Sequence, residues 1–189
     1  MKIYDICKIR MGYAFRSGIQ KSDAGNVLVI QPKDISDSGL LKEEGVYQVE
    51  MDSINPGHAL VPKDVLLSNR GRFASMVYNG QFTLACIASG SIMVLTVKDG
   101  LTVLPEYLAL YFNSKSGKRQ FDRFNETTTI PFVSRVNLEK IDVPVPALKK
   151  QQALIDMERS KQCYEQLTTR KVDLLNGIIN HELTTIEAI

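Results

Sequence analysis

Arg70 and Arg72 stand on either side of Gly71, directly after the apolar run Val65-Leu66-Leu67 and the polar pair Ser68-Asn69. A strand that empties into such a loop presents two guanidinium groups. Their fork matches the O6 and N7 acceptors of guanine as well as it matches a carboxylate. A solvated hairpin pair has the same sequence appearance. Two earlier loops carry comparable groups: Tyr13 and Arg16 lie between Arg10 and Gly18, and Lys33, Asp34 and Ser36 between Gln31 and Gly39. Lys115, Lys118, Arg119 and Arg123 recur at helical spacing. Cations arranged in this way neutralise phosphates, which positions a protein on nucleic acid without reading sequence; an ordinary solvated helix face shows the same pattern. Thr127, Thr128 and Thr129, with Arg135 beyond them, form a further polar group or a β-prone linker.

Catalytic chemistry finds little to build on. His58 and His181 are the only histidines, and Cys7, Cys86 and Cys163 are scattered, so no zinc-ligand spacing exists. Gly117-Lys118 lacks the glycine and hydroxyl residue that a phosphate loop needs around it. Asn55-Pro56-Gly57-His58 shares only its first two residues with the Asn-Pro-Pro-aromatic motif of amino-methyltransferases. The nearest approach to a nuclease cluster, Asp23 with Gln31-Pro32-Lys33, is interrupted by proline. The odd, dispersed cysteines suit free thiols in a reducing cytoplasm, and the acid in Met1-Lys2-Ile3-Tyr4-Asp5-Ile6 does not suit a signal peptide.

The elements that must carry these residues fall into two parts. Through Leu148, short β-prone runs alternate with turn chemistry: Val27–Ile30, Val46–Val49, Val65–Leu67, Phe73–Tyr78, Phe82–Ala88 and Ile92–Val97. Asn79-Gly80 reads as a hairpin turn. Pro105 opens a helical stretch through Phe112 that continues, whole or broken, through Arg123. A short helix is expected over Val136–Leu138, and Ile141–Pro146 reads as an extended edge that proline keeps out of a sheet interior. The expected head is therefore α+β, residues 1–148. From Lys149 one uninterrupted helix is expected to about Glu182. Met157, Tyr164, Leu167, Leu174 and Ile178 form an apolar seam on it, broken once by Lys171. A seam that long needs a second helix of the same kind, so residues 149–189 read as a dimerisation and spacer arm. Charge is balanced in this tail, with six basic and six acidic residues from Ala147 onward, and the net charge of the whole chain is only +2. Any electrostatic footprint must then come from clustering on one face of the head.

The ordered motifs resemble those of a known family. Gly12-Tyr13-Ala14-Phe15-Arg16-Ser17-Gly18, Val29-Ile30-Gln31-Pro32-Lys33-Asp34-Ile35, Lys63-Asp64-Val65-Leu66-Leu67-Ser68-Asn69-Arg70-Gly71, Leu104-Pro105-Glu106-Tyr107-Leu108 and Ile141-Asp142-Val143-Pro144-Val145-Pro146-Ala147-Leu148-Lys149-Lys150-Gln151 follow one another as in the specificity (S) subunits of type I restriction–modification systems. Lys63 stands where that family usually has glycine, and Thr127-Thr128-Thr129-Ile130-Pro131-Phe132 replaces its Gly-Ser loop. The resemblance covers nearly the whole chain, in a half-length form with one target recognition domain.

That resemblance implies a β-rich recognition domain followed by one long helix that pairs in an antiparallel coiled coil. It implies sequence-specific binding of double-stranded DNA without catalysis and without a cofactor of the chain's own. Methylation, with S-adenosylmethionine, and cleavage would belong to partner modification and restriction subunits. The residues expected on DNA are Tyr13, Arg16, Lys33, Asp34, Ser68, Asn69, Arg70, Arg72, Lys115, Lys118, Arg119, Arg123, Thr128 and Arg135. A homodimer through the tails would read an interrupted inverted repeat. The competing readings are a protein–protein module whose coiled coil is the function and, less favoured, a small nuclease or methyltransferase.

Overall fold

The computed structural model describes residues 1–124 and 131–187. The chain divides into two compact units, Met1–Gln152 and Ala153–Ile189. In chain order the elements are α1 (Ile3–Ile6), β1 (Cys7–Met11), β2 (Val27–Ile30), β3 (Tyr47–Val49), β4 (Val65–Ser68), β5 (Ser75–Val77), β6 (Ala85–Ala88), β7 (Ile92–Val97), α2 (Pro105–Asn113), α3 (Lys115–Asp122), α4 (Arg135–Glu139) and α5 (Leu148–Glu187). The architecture is α+β, with a β-rich head and a long C-terminal helix.

Two sheets build the head. One has strand order β1-β7-β4-β5 and is antiparallel throughout; the other has order β3-β2-β6, with β2 and β6 parallel. Ile30 and Cys86 from the second sheet meet Leu66, Met76, Ile92 and Val94 from the first in one apolar cluster. All four residues of β4 are buried, because alternate side chains serve opposite faces of the strand. Leu66 points to the other sheet, while Val65 and Leu67 face the side on which α2 packs. That double burial explains why Val65-Leu66-Leu67 shows no polar alternation.

The expected strands and helices are present, with two differences. Asn79-Gly80, with Gly80 at φ +72°, does not close a hairpin: β5 pairs with β4 and β6 pairs with β2, so the chain changes sheets there. The basic stretch after α2 is broken at Ser114, whose hydroxyl accepts from the backbone N–H of Gly117 and so caps α3.

A buried ion pair ties the antiparallel sheet together. Asp64, fully buried just before β4, receives Arg10 of β1 at 2.8 Å. The Val61 N–H donates to the same oxygen at 3.0 Å, and the other oxygen accepts from the Thr96 hydroxyl of β7 at 2.6 Å. Arg10 also donates to the Ala59 carbonyl. The preceding residue, Lys63, has φ +77°, a left-handed conformation that glycine adopts freely and other residues rarely do. The family's glycine at this position thus has a backbone reason, and here the Lys63 ammonium is held by Glu106 at the start of α2.

The end of the head is closed by an amide. Gln151 is fully buried; its Oε1 accepts from Leu104 N, and its Nε2 donates to the carbonyls of Thr102 and Pro146. The first turn of α5 therefore belongs to the head. In the second unit Met157, Tyr164, Leu167, Leu174 and Ile178 are all exposed, and so are Val172, Leu175, Ile179 and Leu183. This second stripe lies one residue round the helix from the seam and widens it, which a strict seven-residue pattern does not bring out. Among the described residues no helix is long and apolar enough to cross a membrane.

Replacing Arg10 with Met removes the cation from a carboxylate that stays buried. We expect a loss of about 3 kcal/mol in denaturant unfolding, toward the low end for a broken buried pair because Arg10 is partly exposed. Alkaline stability follows from three buried groups. Burial pushes the Cys7 thiol up to about 12 against the pull of Lys98. It also pushes the Cys86 thiol up to about 12 against its hydrogen bonds with Tyr78 and Ile87, and the Tyr78 hydroxyl up to about 12. Each holds its proton more tightly folded than unfolded, so stability is intact below the ordinary thiol value of 9.0 and falls as pH rises from there toward 12. A pH titration of the denaturation midpoint measures this, and a thiol reagent at neutral pH should label exposed Cys163 alone until the chain unfolds.

Candidate functional site

The loops that carry the basic residues leave the head from one edge. Met11 pairs with Met93, Ser68 with Ile92 and Ile30 with Ala88, so β1, β2 and β4 all end beside the turn that joins β6 to β7. That turn is the hub. Gly12 N donates to Ile92 O, Asn69 N to Ser91 O, and Ser89 N to Ile30 O, while Tyr13 bridges Ser89. A side chain at Gly12 is impossible without a shift, since a Cβ there would lie 2.1 Å from the Ser89 carbonyl oxygen. Close approach of two backbones thus sets the glycine of the first motif.

Ser68 and Asn69 build the arginine loop rather than extend from it. Both are buried. The Ser68 hydroxyl donates to the Arg70 carbonyl at 2.8 Å. The backbone of Asn69–Gly71 then pairs with Pro131–Val133: Val133 N donates to Asn69 O, Gly71 N donates to Pro131 O, and Arg70 bridges Phe132 antiparallel. Gly71 at φ +77° and Phe73 at φ +49° reverse the chain. For Phe73 this is a strained conformation. Its buried ring lies 4.9 Å from the ring of Phe121 on α3, which fixes the loop against that helix.

The two arginines differ. Arg72 donates to the Asp37 carboxylate at 3.0 Å and approaches the Ile35 carbonyl, which joins the arginine loop to the loop between Gln31 and Gly39. Arg70 is exposed and, among the described residues, has no carboxylate partner; its guanidinium carbon lies 5.6 Å from the centre of the Phe132 ring. Lys115 and Arg119 on α3 and Arg123 at its C-cap are exposed on the face opposite buried Gly117 and Phe121, and Lys118 is half-buried at the flank. Arg135 is exposed at the start of α4 and ion-paired with Glu139 at 2.8 Å.

The remaining expected residues are placed less uniformly. Tyr13 is half-buried, edge-on to the rings of Phe15 and His58 at 4.8 and 5.4 Å. Arg16 is exposed. Lys33 is exposed, but its ammonium is engaged: it donates to Gly45 O at 3.0 Å and sits 3.8 Å from the centre of the Tyr47 ring. Asp34 is buried, and its carboxylate accepts from Gln31 N at 2.8 Å, which closes the turn there. Burial raises its pKa against that N–H and the neighbouring Lys33. Thr128, with Thr127 and Thr129, lies outside the described residues. Sequence reasoning did not single out Phe132, Phe73 or Asp37. The signal for Phe132 was present in Pro131-Phe132, an aromatic in a polar stretch, but its pairing with Arg70 exists only in three dimensions. Among the described residues no group of three or more His, Cys, Asp or Glu could hold a metal ion.

A rigid two-sheet core that displays basic and aromatic side chains from one edge, joined to a long helix with an exposed apolar stripe, defines the class: a recognition domain on a helical arm. Residues 1–176 match the model of the family described as the type I restriction modification DNA specificity domain, and the chain belongs to that family. Its fold is similar to the HsdS subunit from Thermoanaerobacter tengcongensis, with a TM-score of 0.59 at 19% identity over 87% of this chain and 37% of that one. It is similar to a chain from a structure of the type I R-M system described for its complex assembly and conformational transition, at TM-score 0.60 and 20% identity over 90% of this chain and 39% of that one. It is also similar to the S subunit of M. genitalium, at TM-score 0.50 and 15% identity over 83% and 37% of the two chains. The chain therefore spans less than two fifths of the length of these solved relatives. No curated protein matches it.

Proposed function

We propose that the head binds double-stranded DNA and reads its sequence through the loops at the strand-end edge, without catalysing a reaction itself. The observation that carries this reading is the arginine loop. The backbone that carries Arg70 and Arg72 is held by the turn at Gly71, by the buried ring of Phe73 and by pairing with Pro131–Val133. A preordered loop loses little conformational entropy on binding, so its contacts convert into discrimination between bases. The cationic face of α3, joined to the loop by Phe73 and Phe121, supplies phosphate contacts that set register. Tyr13 and Arg16 flank them, and Lys33 reaches DNA only by giving up its contacts with Gly45 and Tyr47.

The arm gives the second half of the proposal. The broad apolar stripe of α5 pairs with the same helix of a second copy, antiparallel, in the cytoplasm, and two heads then read an interrupted inverted repeat. A helix of 40 residues is about 60 Å long at roughly 1.5 Å per residue. That length is enough to separate two half-sites by a turn of DNA, about 34–36 Å, or more. The paired helices also offer the docking surface for modification and restriction subunits.

Arg70→Ala should weaken binding to a selected target by about 1–3 kcal/mol and leave non-specific binding nearly unchanged. Competition binding at fixed salt separates the two, and equal loss on both would remove Arg70 as a base reader. Light scattering of the purified chain at two concentrations should give twice 21.2 kDa. A mass of one chain at both concentrations would assign the arm to a different partner.

A further inference from the structure

Phe132 stands out once the arginine loop is understood. It is a large apolar side chain that is 42% exposed, although the segment around it is firmly held. Its neighbours Pro131 and Val133 exchange backbone hydrogen bonds with Gly71 and Asn69, and Val133 is fully buried. The two segments thus form a short antiparallel ribbon in which Phe132 lies directly across from Arg70. Residues opposite each other on such a ribbon project from the same face. The ribbon presents a cation and an apolar ring side by side, 5.6 Å apart from guanidinium carbon to ring centre.

We propose that Phe132 is a specificity-determining residue that contacts the C5-methyl group of a thymine beside the guanine read by Arg70. This rests on the DNA-reading function proposed above and names the chemistry of part of its target. A two-stranded ribbon fits the major groove. In that groove the guanine O6 and N7 acceptors and the thymine methyl are exposed together, and aromatic side chains are among those that contact the methyl. The 5.6 Å offset lies between one and two base-pair steps of about 3.4 Å. A ring and a guanidinium so spaced therefore address bases one or two steps apart. The ring also steadies the Arg70 fork by lying near its cation, so the two contributions must be told apart.

The experiment begins with selection of duplexes from a random pool by the full chain. In a selected duplex, thymine next to the Arg70-dependent guanine is replaced by uracil, which removes only the methyl. Wild-type affinity should fall about fourfold, the transfer free energy of one methyl group. Phe132→Ala should bind the thymine and uracil duplexes equally while keeping its preference for guanine, and Phe132→Leu should retain part of the methyl discrimination. Equal wild-type affinity for both duplexes overturns the proposal. Loss of the guanine preference in Phe132→Ala, with the methyl effect absent in wild type, overturns it in favour of a ring that only positions Arg70. If wild type enriches no motif at all, the DNA-reading function falls first and this proposal with it. If Phe132→Ala fails to fold by circular dichroism, the uracil comparison on wild type still decides.

Discussion

The buried carboxylate of Asp64 is the constraint on which the head depends. Taken alone it would be costly, since an isolated buried charge loses its hydration without return. It is offset by four donors from three places in the chain: both terminal nitrogens of Arg10 on β1, the Thr96 hydroxyl on β7 and the Val61 N–H before β4. The directions of all these bonds are fixed, so the group tolerates few alternative packings. Apolar side chains in a core resist substitution but can often repack; a carboxylate with four donors cannot. The strained backbone at Lys63 is the local cost of turning Asp64 inward.

With β1, β4 and β7 aligned in this way, the turn between β6 and β7 becomes a fixed hub and the strand ends gather round it. The division of labour is then sharp. Buried residues at that edge shape the loops: Asp34 through the Gln31 N–H, Ser68 through the Arg70 carbonyl and Asn69 through its backbone bonds with Ser91 and Val133. Residues beyond them, Arg70, Arg72 and Phe132, are carried by backbone that is already hydrogen-bonded. Loops are ordinarily the variable part of a fold, and they serve recognition best when a rigid scaffold positions them. Here even the strain at Phe73 is placed where the display is made, and it is held by packing against α3 rather than by the loop itself.

Much of this was legible in the chain. The runs Val27–Ile30, Val65–Leu67 and Ile92–Val97 were readable as strands because their β-branched residues lie between turn residues, and Pro105 marked the start of α2. The arginine loop was readable because Gly71 sits between two arginines after a strand. What escaped were facts of pairing at a distance. Asn79-Gly80 carries the local signature of a hairpin, and that signature says nothing about which strands flank it; long-range pairing sends β5 and β6 to different sheets. Asp34 and Lys33 look like loop residues free to reach outward, but burial and a neighbouring tyrosine are invisible in sequence. Arg10 reads as one more basic residue near the N-terminus until its partner 54 positions away is known.

Gln151 links the head's order to the proposed role of the arm. A long helix attached through a flexible joint would carry no information about the spacing of two recognition heads, because linker freedom would blur it. The Pro144–Pro146 segment already restricts the chain. Gln151 then satisfies Leu104 N and the carbonyls of Thr102 and Pro146 with a single buried amide, so the first turn of α5 is bonded into the head. An amide suits this position because it supplies one acceptor and two donors at once without a charge to desolvate. Leucine there would bury well and leave three backbone groups unpaired; glutamate would match only the N–H and repel both carbonyls.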